Sequence, residues 1–362
     1  MKPPSLLTHV AVLLTAATAS AETAVVSVYN WSDYIAPDTL AEFEAETGIR
    51  VVYDIFDSNY TLEARLLEGN SGYDVVVPSG VFLARQGQAD LFRPLDKHRL
   101  PNLHHMHAEL MRQVRQWDPE NRYGVPYLWG TTGLAYNARL IAERDASAPT
   151  SSWRMLFDPQ AVSKFADCGV YVLDEPDEVI PAVLKFIGED PDSHDPDVIA
   201  KVEPVLAAIR PYVRRFHNSE QIDALASGDI CLAMGWSGDM LQARDRSRAA
   251  GNDGEIRYVI PEEGALMWFD MMAIPVDAPH PENAHRLIDY LMRPDVIARI
   301  SNHVFYANAN AAAQPHLDPE LSRDPGVHPP AAVRASLYVT SPYPPTVREF
   351  VSGLWARVRG AR

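Results

Sequence analysis

The chain has only two cysteines in 362 residues, too few for a disulfide framework to stand in for a hydrophobic core. Past its first twenty residues or so, no run approaches the ~20 apolar residues that a membrane-spanning helix needs. Positive charge is scarce: 32 Lys and Arg face 48 Asp and Glu, a formal net charge of -16. That balance argues against nucleic acid or an anionic membrane as a partner and is compatible with a cationic ligand. Phosphate loops, dinucleotide fingerprints and internal repeats are absent, so no cofactor is expected. With 47% hydrophobic and 22% charged residues, the composition is that of a folded globular protein.

The amino terminus sets the compartment. Lys2 precedes an apolar segment from Leu6 to Ala17, followed by Ala19-Ser20-Ala21, the small-residue pattern of a secretory cleavage site. Residues 1–21 are therefore read as a signal peptide cleaved after Ala21, which predicts a soluble, exported, periplasmic protein. The alternative is an uncleaved anchor, but the segment is short for a span and no Cys stands near it to carry lipid. The remaining length exceeds what one core usually organises, so two domains are expected.

An exported compartment allows Cys168 and Cys231 to form a disulfide. A nucleophilic Cys is the alternative, yet no His neighbours either one in "FADCGVYV" or "SGDICLAMGW". Both flanks read as the starts of strands.

Strand-like and helix-like segments alternate, the pattern of α/β layers on a largely parallel sheet. Strands are expected at 24–29, 50–56 and 74–78, with helices starting near Pro37 and Tyr60 and stopping at Gly48 and Gly69. Further strands are expected at 168–174, 229–236 and 265–275, and an acidic turn at 175–178. The helix stripe Val347, Phe350, Val351, Leu354, Trp355 and Val358 predicts a packed C-terminal helix.

Ligands of open α/β sheets bind beyond the carboxyl ends of strands. Six segments fall at such ends: "NWSDY" (30–34), "PSG" (78–80), "DEPDE" (174–178), "GWSGD" (235–239), "MWFD" (267–270) and "FYANAN" (305–310). They bring Trp31, Tyr34, Trp236, Trp268, Phe269 and Tyr306 beside Asp33, Glu178, Asp239 and Asp270, with no Lys or Arg. Ring faces favour positive charge, and ammonium groups donate charge-assisted hydrogen bonds to carboxylates. Carboxylates at both ends would select a molecule with an amine at each end. The bland alternative makes each ring a core residue and each acid a helix cap; it weakens when all six segments are taken together.

Other motifs carry less. "GWSGD" has Asp239 where the nucleophile elbow G-x-S-x-G needs its second Gly. "HHMH" (104–107) lacks a carboxylate or Cys to complete a metal site, so no metal is expected. Arg244, Arg246 and Arg248 read as a solvated face.

The segments "YNWSDYIAPDTL", "GYDVVVPS", "GDICLAMGWSGD" and "RPDVIARISNHVFYANAN", with the Cys pair, resemble the periplasmic polyamine-binding proteins of ABC importers, nearest the putrescine-binding branch. The resemblance covers essentially the whole mature chain. It implies a two-lobed type II binding-protein fold, each lobe a doubly wound α/β sheet, with the ligand cleft at the hinge. Lobe one is placed at 22–133 and 266–316, lobe two at 134–265 and 317–362. It further implies that Trp31, Tyr306 and Trp236 stack on the aliphatic chain, that Ser32, Asp33 and Ser79 contact one amine region, that Glu178 and Asp239 come from lobe two, and that Asp270 holds an ammonium. Tyr34 and Asn218 join the expected pocket, and Cys168–Cys231 becomes a disulfide within lobe two. Two positions depart from the putrescine branch: Trp268 replaces Phe, as in spermidine-preferring members, and Asn218 replaces Ser. Putrescine is favoured, with spermidine next. The implied partners are the polyamine and the permease subunits, for a monomeric protein that is not an enzyme. The rivals are a polyamine sensor signalling to a membrane receptor, and an enzyme on the same fold using Cys168 or a carboxylate pair on an amine.

Overall fold

Val26 and Val28 alternate with half-exposed neighbours along the first strand, so one face of that strand turns inward. The chain then reverses through helix Thr39–Thr47, which stops where Gly48 takes the left-handed conformation at φ 69°, a backbone region open to glycine. The computed structural model describes residues 24–252 and 255–360; the expected signal peptide at 1–21 lies outside them. Among the described residues, no helix is long and apolar enough to cross a membrane.

Ten strands follow in chain order: β1 (Val25–Trp31), β2 (Arg50–Phe56), β3 (Val75–Val76), β4 (Gly124–Asn137), β5 (Val170–Val172), β6 (Arg215–Phe216), β7 (Leu232–Trp236), β8 (Ile256–Val259), β9 (Met267–Ala273) and β10 (Ala307–Asn308). Their order is β2-β1-β3-β9-β4-β7-β5-β6, with β8 and β10 also paired to β4. The fold is the two-lobed α/β architecture of type II binding proteins, and β4 is its spine. Residues 124–131 of β4 pair with β9, whereas 132–137 pair with β7 and β8.

Among these ten strands, parallel pairing joins β1 to β2 and β3, and β5 to β6 and β7. Every partner of β4 is antiparallel to it. The largely parallel sheet expected from the alternating pattern is thus mixed, because one strand is shared between two lobes and runs against both.

Two large cores flank that spine. The first gathers β1, β3, β9, the early half of β4 as far as Trp129, and helices Pro281–Leu291 and Pro294–Val304. The second begins at Leu134 and includes β5, β7 and the face Val347, Val351, Leu354, Trp355 and Val358 of helix Pro345–Gly360. The tail from 317, expected with lobe two, divides between them. Leu321 and Val327 pack in the first core, and the chain returns to the second lobe from Ser341, which bonds Asp192, and Tyr343 onward. Cys168 and Cys231 are disulfide-bonded with Cα atoms 5.5 Å apart, tying the turn before β5 to the start of β7 inside the second core.

Candidate functional site

The carboxyl ends of β1 and β3, the middle of β9, and the residue before β10 converge from the first lobe on one crevice. From the second lobe come the end of β7 and helix Pro176–Phe186. That helix is where an acidic turn was expected; Pro176 occupies its first position, which suits a fixed φ and a missing N–H. Asp177 and Glu178 lie in its first turn, where the helix dipole favours carboxylates.

Asp270, on β9, is 3% exposed. Its Oδ2 accepts from the Tyr34 hydroxyl and its Oδ1 from the Ser79 hydroxyl, both at 2.7 Å. Asn59 in turn fixes Ser79, donating to its Oγ and accepting from its backbone N–H, each at 3.0 Å. Trp31 is oriented by an indole N–H bond to the Val77 carbonyl at 2.9 Å. Its ring meets Trp236 of the opposite lobe edge-on at 5.5 Å. Trp268 and Tyr34 meet Tyr306 in the same manner at 5.4 and 5.1 Å.

The space between these groups, open solvent at the mouth included, is about 660 Å³. Eight aromatic rings line it, including Phe82, Trp117 and Phe269, together with the carboxyls of Glu175, Asp177, Glu178 and Asp270. No Lys, Arg or His does.

Burial makes ionisation costly for these acids, by more than the nearby Arg85 and Arg348 offset at Asp177. It pushes the Asp270 carboxyl up to about 7, although the Ser79 and Tyr34 hydrogen bonds oppose the rise. Glu178 is likewise pushed up to about 7 by burial, against its bond from the Thr132 hydroxyl. Burial also raises Asp177, bonded by the Tyr60 hydroxyl, and raises Glu175 well above the carboxylate range. Buried acids walled by rings are chemically suited to a cation with an apolar body.

Of the expected site residues, the cavity brings together Trp31, Tyr34, Ser79, Glu178, Trp236, Trp268, Asp270 and Tyr306. Four stand outside its wall. Ser32 donates its backbone N–H to the Phe56 carbonyl at 3.1 Å. Asp33 sits at a left-handed turn, φ 51°, and its carboxylate pairs with Arg246 at 2.7 Å instead of facing the cavity. Arg246 also pairs with Asp223, so it is no simple solvated face. Asp239 lies behind Tyr306, accepting that hydroxyl at 2.7 Å, and its carboxyl too is pushed by burial up to about 7. Asn218 is bonded to Asp174, Glu175 and Asp57.

The sequence reading passed over Asn59, Phe82, Trp117, Glu175, Asp177 and Thr340. Glu175 and Asp177 lay within a quoted segment, and the run Glu-Pro-Asp-Glu is itself the signal of a helix start carrying three acids. Trp117 has no such signal. It lies against Gly80, where an added Cβ would stand 2.4 Å from its ring, and its indole N–H bonds the Thr340 carbonyl at 2.8 Å.

Residues 38–329 match the family model of bacterial extracellular solute-binding proteins. The chain is 45% identical over 347 residues to the putrescine-binding periplasmic protein PotF of Escherichia coli (strain K12), covering 95% of this chain and 94% of that protein. It is 44% identical over 344 residues to the putrescine-binding periplasmic protein SpuD of Pseudomonas aeruginosa (strain UCBPP-PA14), with the same coverages of 95% and 94%. Among solved structures, a putative spermidine/putrescine ABC transporter protein from Listeria monocytogenes superimposes with a TM-score of 0.85 at 28% identity, covering 93% of this chain and 99% of that one. The chain belongs to the bacterial extracellular solute-binding proteins.

Proposed function

We propose that this protein captures a polyamine in the cleft between its lobes and hands it to the permease of an ABC importer. Putrescine is the first ligand and spermidine the next. The observation that carries this reading is a cavity with eight rings, four carboxyls and no basic side chain. Asp270 serves one ammonium from the first lobe, and the acids of helix Pro176–Phe186 serve the other from the second. The rings between them cover the methylene chain. Spermidine gains support from the broad ring of Trp268 and from three acids, Glu175, Asp177 and Glu178, on one turn.

Binding proceeds on one lobe and completes when the other closes over it. β4 passes unbroken between the cores, so a bend near its residues 131–132 moves one lobe against the other. Export with cleavage after Ala21, a monomeric state and the absence of catalysis complete the reading. The lobes are 22–133, 266–316 and the adjoining tail, closing on 134–265 with the final helix.

A thermal-shift panel on mature, ligand-stripped protein tests it, with putrescine, cadaverine, spermidine, arginine and glutamate. A ligand at 100 times its dissociation constant adds roughly 2.7 kcal/mol of stability. Polyamines alone should raise the midpoint, and recovered ligand should be chemically unaltered. A shift with glutamate, or none with any amine, overturns the reading. Polyamine uptake by a deletion strain at the wild-type rate would favour a sensor over a transport component.

A further inference from the structure

Asn218 stands outside the cavity, yet its side-chain amide is fully engaged. Its Oδ1 accepts from the Asp174 backbone N–H at 2.8 Å. Its Nδ2 donates to Glu175 Oε1 at 3.1 Å and to the Asp57 carbonyl at 3.0 Å. The first two partners belong to its own lobe. The third follows β2 in the opposite lobe. The residue is 5% exposed and Glu175 2%, so these bonds are sheltered from water.

The loop carrying Asn218 is held in turn. The His217 backbone N–H bonds the Val172 carbonyl at 2.9 Å, and the Gln221 side chain bonds the Asn218 carbonyl at 2.9 Å. One amide thus ties an acid of the cavity wall to the backbone of the other lobe. The Asp57 bond exists only while the lobes are together.

We propose that Asn218 is a positioning residue that couples closure of the lobes to the placement of Glu175, and so slows ligand release without touching ligand. The inference rests on the polyamine reading of the cleft. Opening the lobes breaks the Asp57 bond and frees one donor of the amide. Glu175 then keeps only a partner, Asn218, that is no longer anchored to the other lobe. Release and loss of the acid's placement become one event. An orphaned buried donor or acceptor is costly, which makes the coupling steep.

Asn218→Asp separates the two halves of the amide. It retains an acceptor for the Asp174 N–H and removes both donors. Asn218→Ala removes the donors without adding charge. Putrescine association and release are read by stopped-flow tryptophan fluorescence, since Trp31 and Trp236 face each other across the cleft. Both variants should release putrescine roughly fivefold faster, the factor for one lost hydrogen bond of ordinary strength. Association should stay at the wild-type rate, while the ligand-free melting midpoints fall with the bonds lost around Glu175. Unchanged release in both variants overturns the proposal even if their midpoints fall, because Asn218 then serves only the local fold. A wild-type protein that gives no signal with putrescine overturns the polyamine reading and this inference with it; a responsive wild type confines any failure to Asn218.

Discussion

Tyr34 and Asp270 are 236 residues apart in sequence, and the hydroxyl of one meets the carboxylate of the other at 2.7 Å in the buried heart of the cleft. With Ser79 on the second oxygen, the carboxylate is aimed before any ligand arrives, and its remaining lone pairs are free to accept from an ammonium. Asp270→Ala should weaken putrescine binding by about 2 to 5 kcal/mol, the range for removing one partner of a buried charge pair. Tyr34→Phe should cost about 1 kcal/mol, the worth of one hydrogen bond. Titration calorimetry checks both, and an Asp270→Ala protein of wild-type affinity removes that residue from the site.

Affinity should rise with pH. Burial lifts Asp270 and Glu178 to about 7 in the empty cleft, so part of each is protonated at neutrality, and a cationic ligand must displace those protons. Below pH 7 the affinity should fall by up to about tenfold per pH unit for each group. Calorimetry at pH 6.5 in buffers of different ionisation enthalpy should register proton release, reduced in Asp270→Asn. For the ligand-free protein the sign reverses. A raised carboxyl contributes stability that is fully present below its ordinary value, 3.8 for Asp270 and 4.5 for Glu178, and is lost as pH rises through about 7. Putrescine should therefore protect most at and above neutrality.

Gly238 begins a helix of the second lobe directly against Tyr306 of the first. A Cβ there would stand 2.4 Å from two carbons of the Tyr306 ring. Gly238→Ala should wedge the lobes apart and weaken binding by about 1 to 3 kcal/mol, the cost of overpacking, while the ligand-free midpoint changes little. Gly353→Ala, whose Cβ would meet only the end of the Arg357 side chain at 3.6 Å, is the control and should bind normally. Equal affinities in the two variants would remove closure from the account of Gly238.

The Cys168–Cys231 bridge closes a span of 63 residues within the second lobe. Replacing both by Ala should lower stability by about 2 to 4 kcal/mol through the greater freedom of the unfolded chain. Denaturation with and without reductant measures it. Because both sulfurs lie in the core away from the cleft, the putrescine affinity of the folded variant should be unchanged, and a matching loss of affinity would contradict that separation.

Much of the molecule was legible from local pattern. β1, β2 and their helices follow from alternation and from helix stops at two glycines in the left-handed region, Gly48 and Gly69. The C-terminal helix follows from its apolar stripe. β4 was not legible, though it is the longest strand: it is buried on both faces throughout, and Gly124, Pro126, Gly130 and Gly133 interrupt any alternation. All three glycines have tertiary reasons: a Cβ at Gly124 would meet Leu83 and Met271. A Cβ at Gly130 would meet Ser237 and Trp268, and one at Gly133 the Val259 carbonyl.

Residue chemistry by itself pointed to the proposed class of ligand: rings and carboxylates gathered at strand ends, without a basic side chain among them, attract a cation wherever they meet. The tertiary structure decided which of them meet. A turn at Asp33 carries its carboxylate to Arg246, the amide of Asn218 is spent on Glu175 and the far lobe, and Trp117 enters the cavity from a segment with no signal of its own. Side-chain direction at a turn, and contact between segments a hundred or more residues apart, depend on packing across two cores that no local pattern encodes.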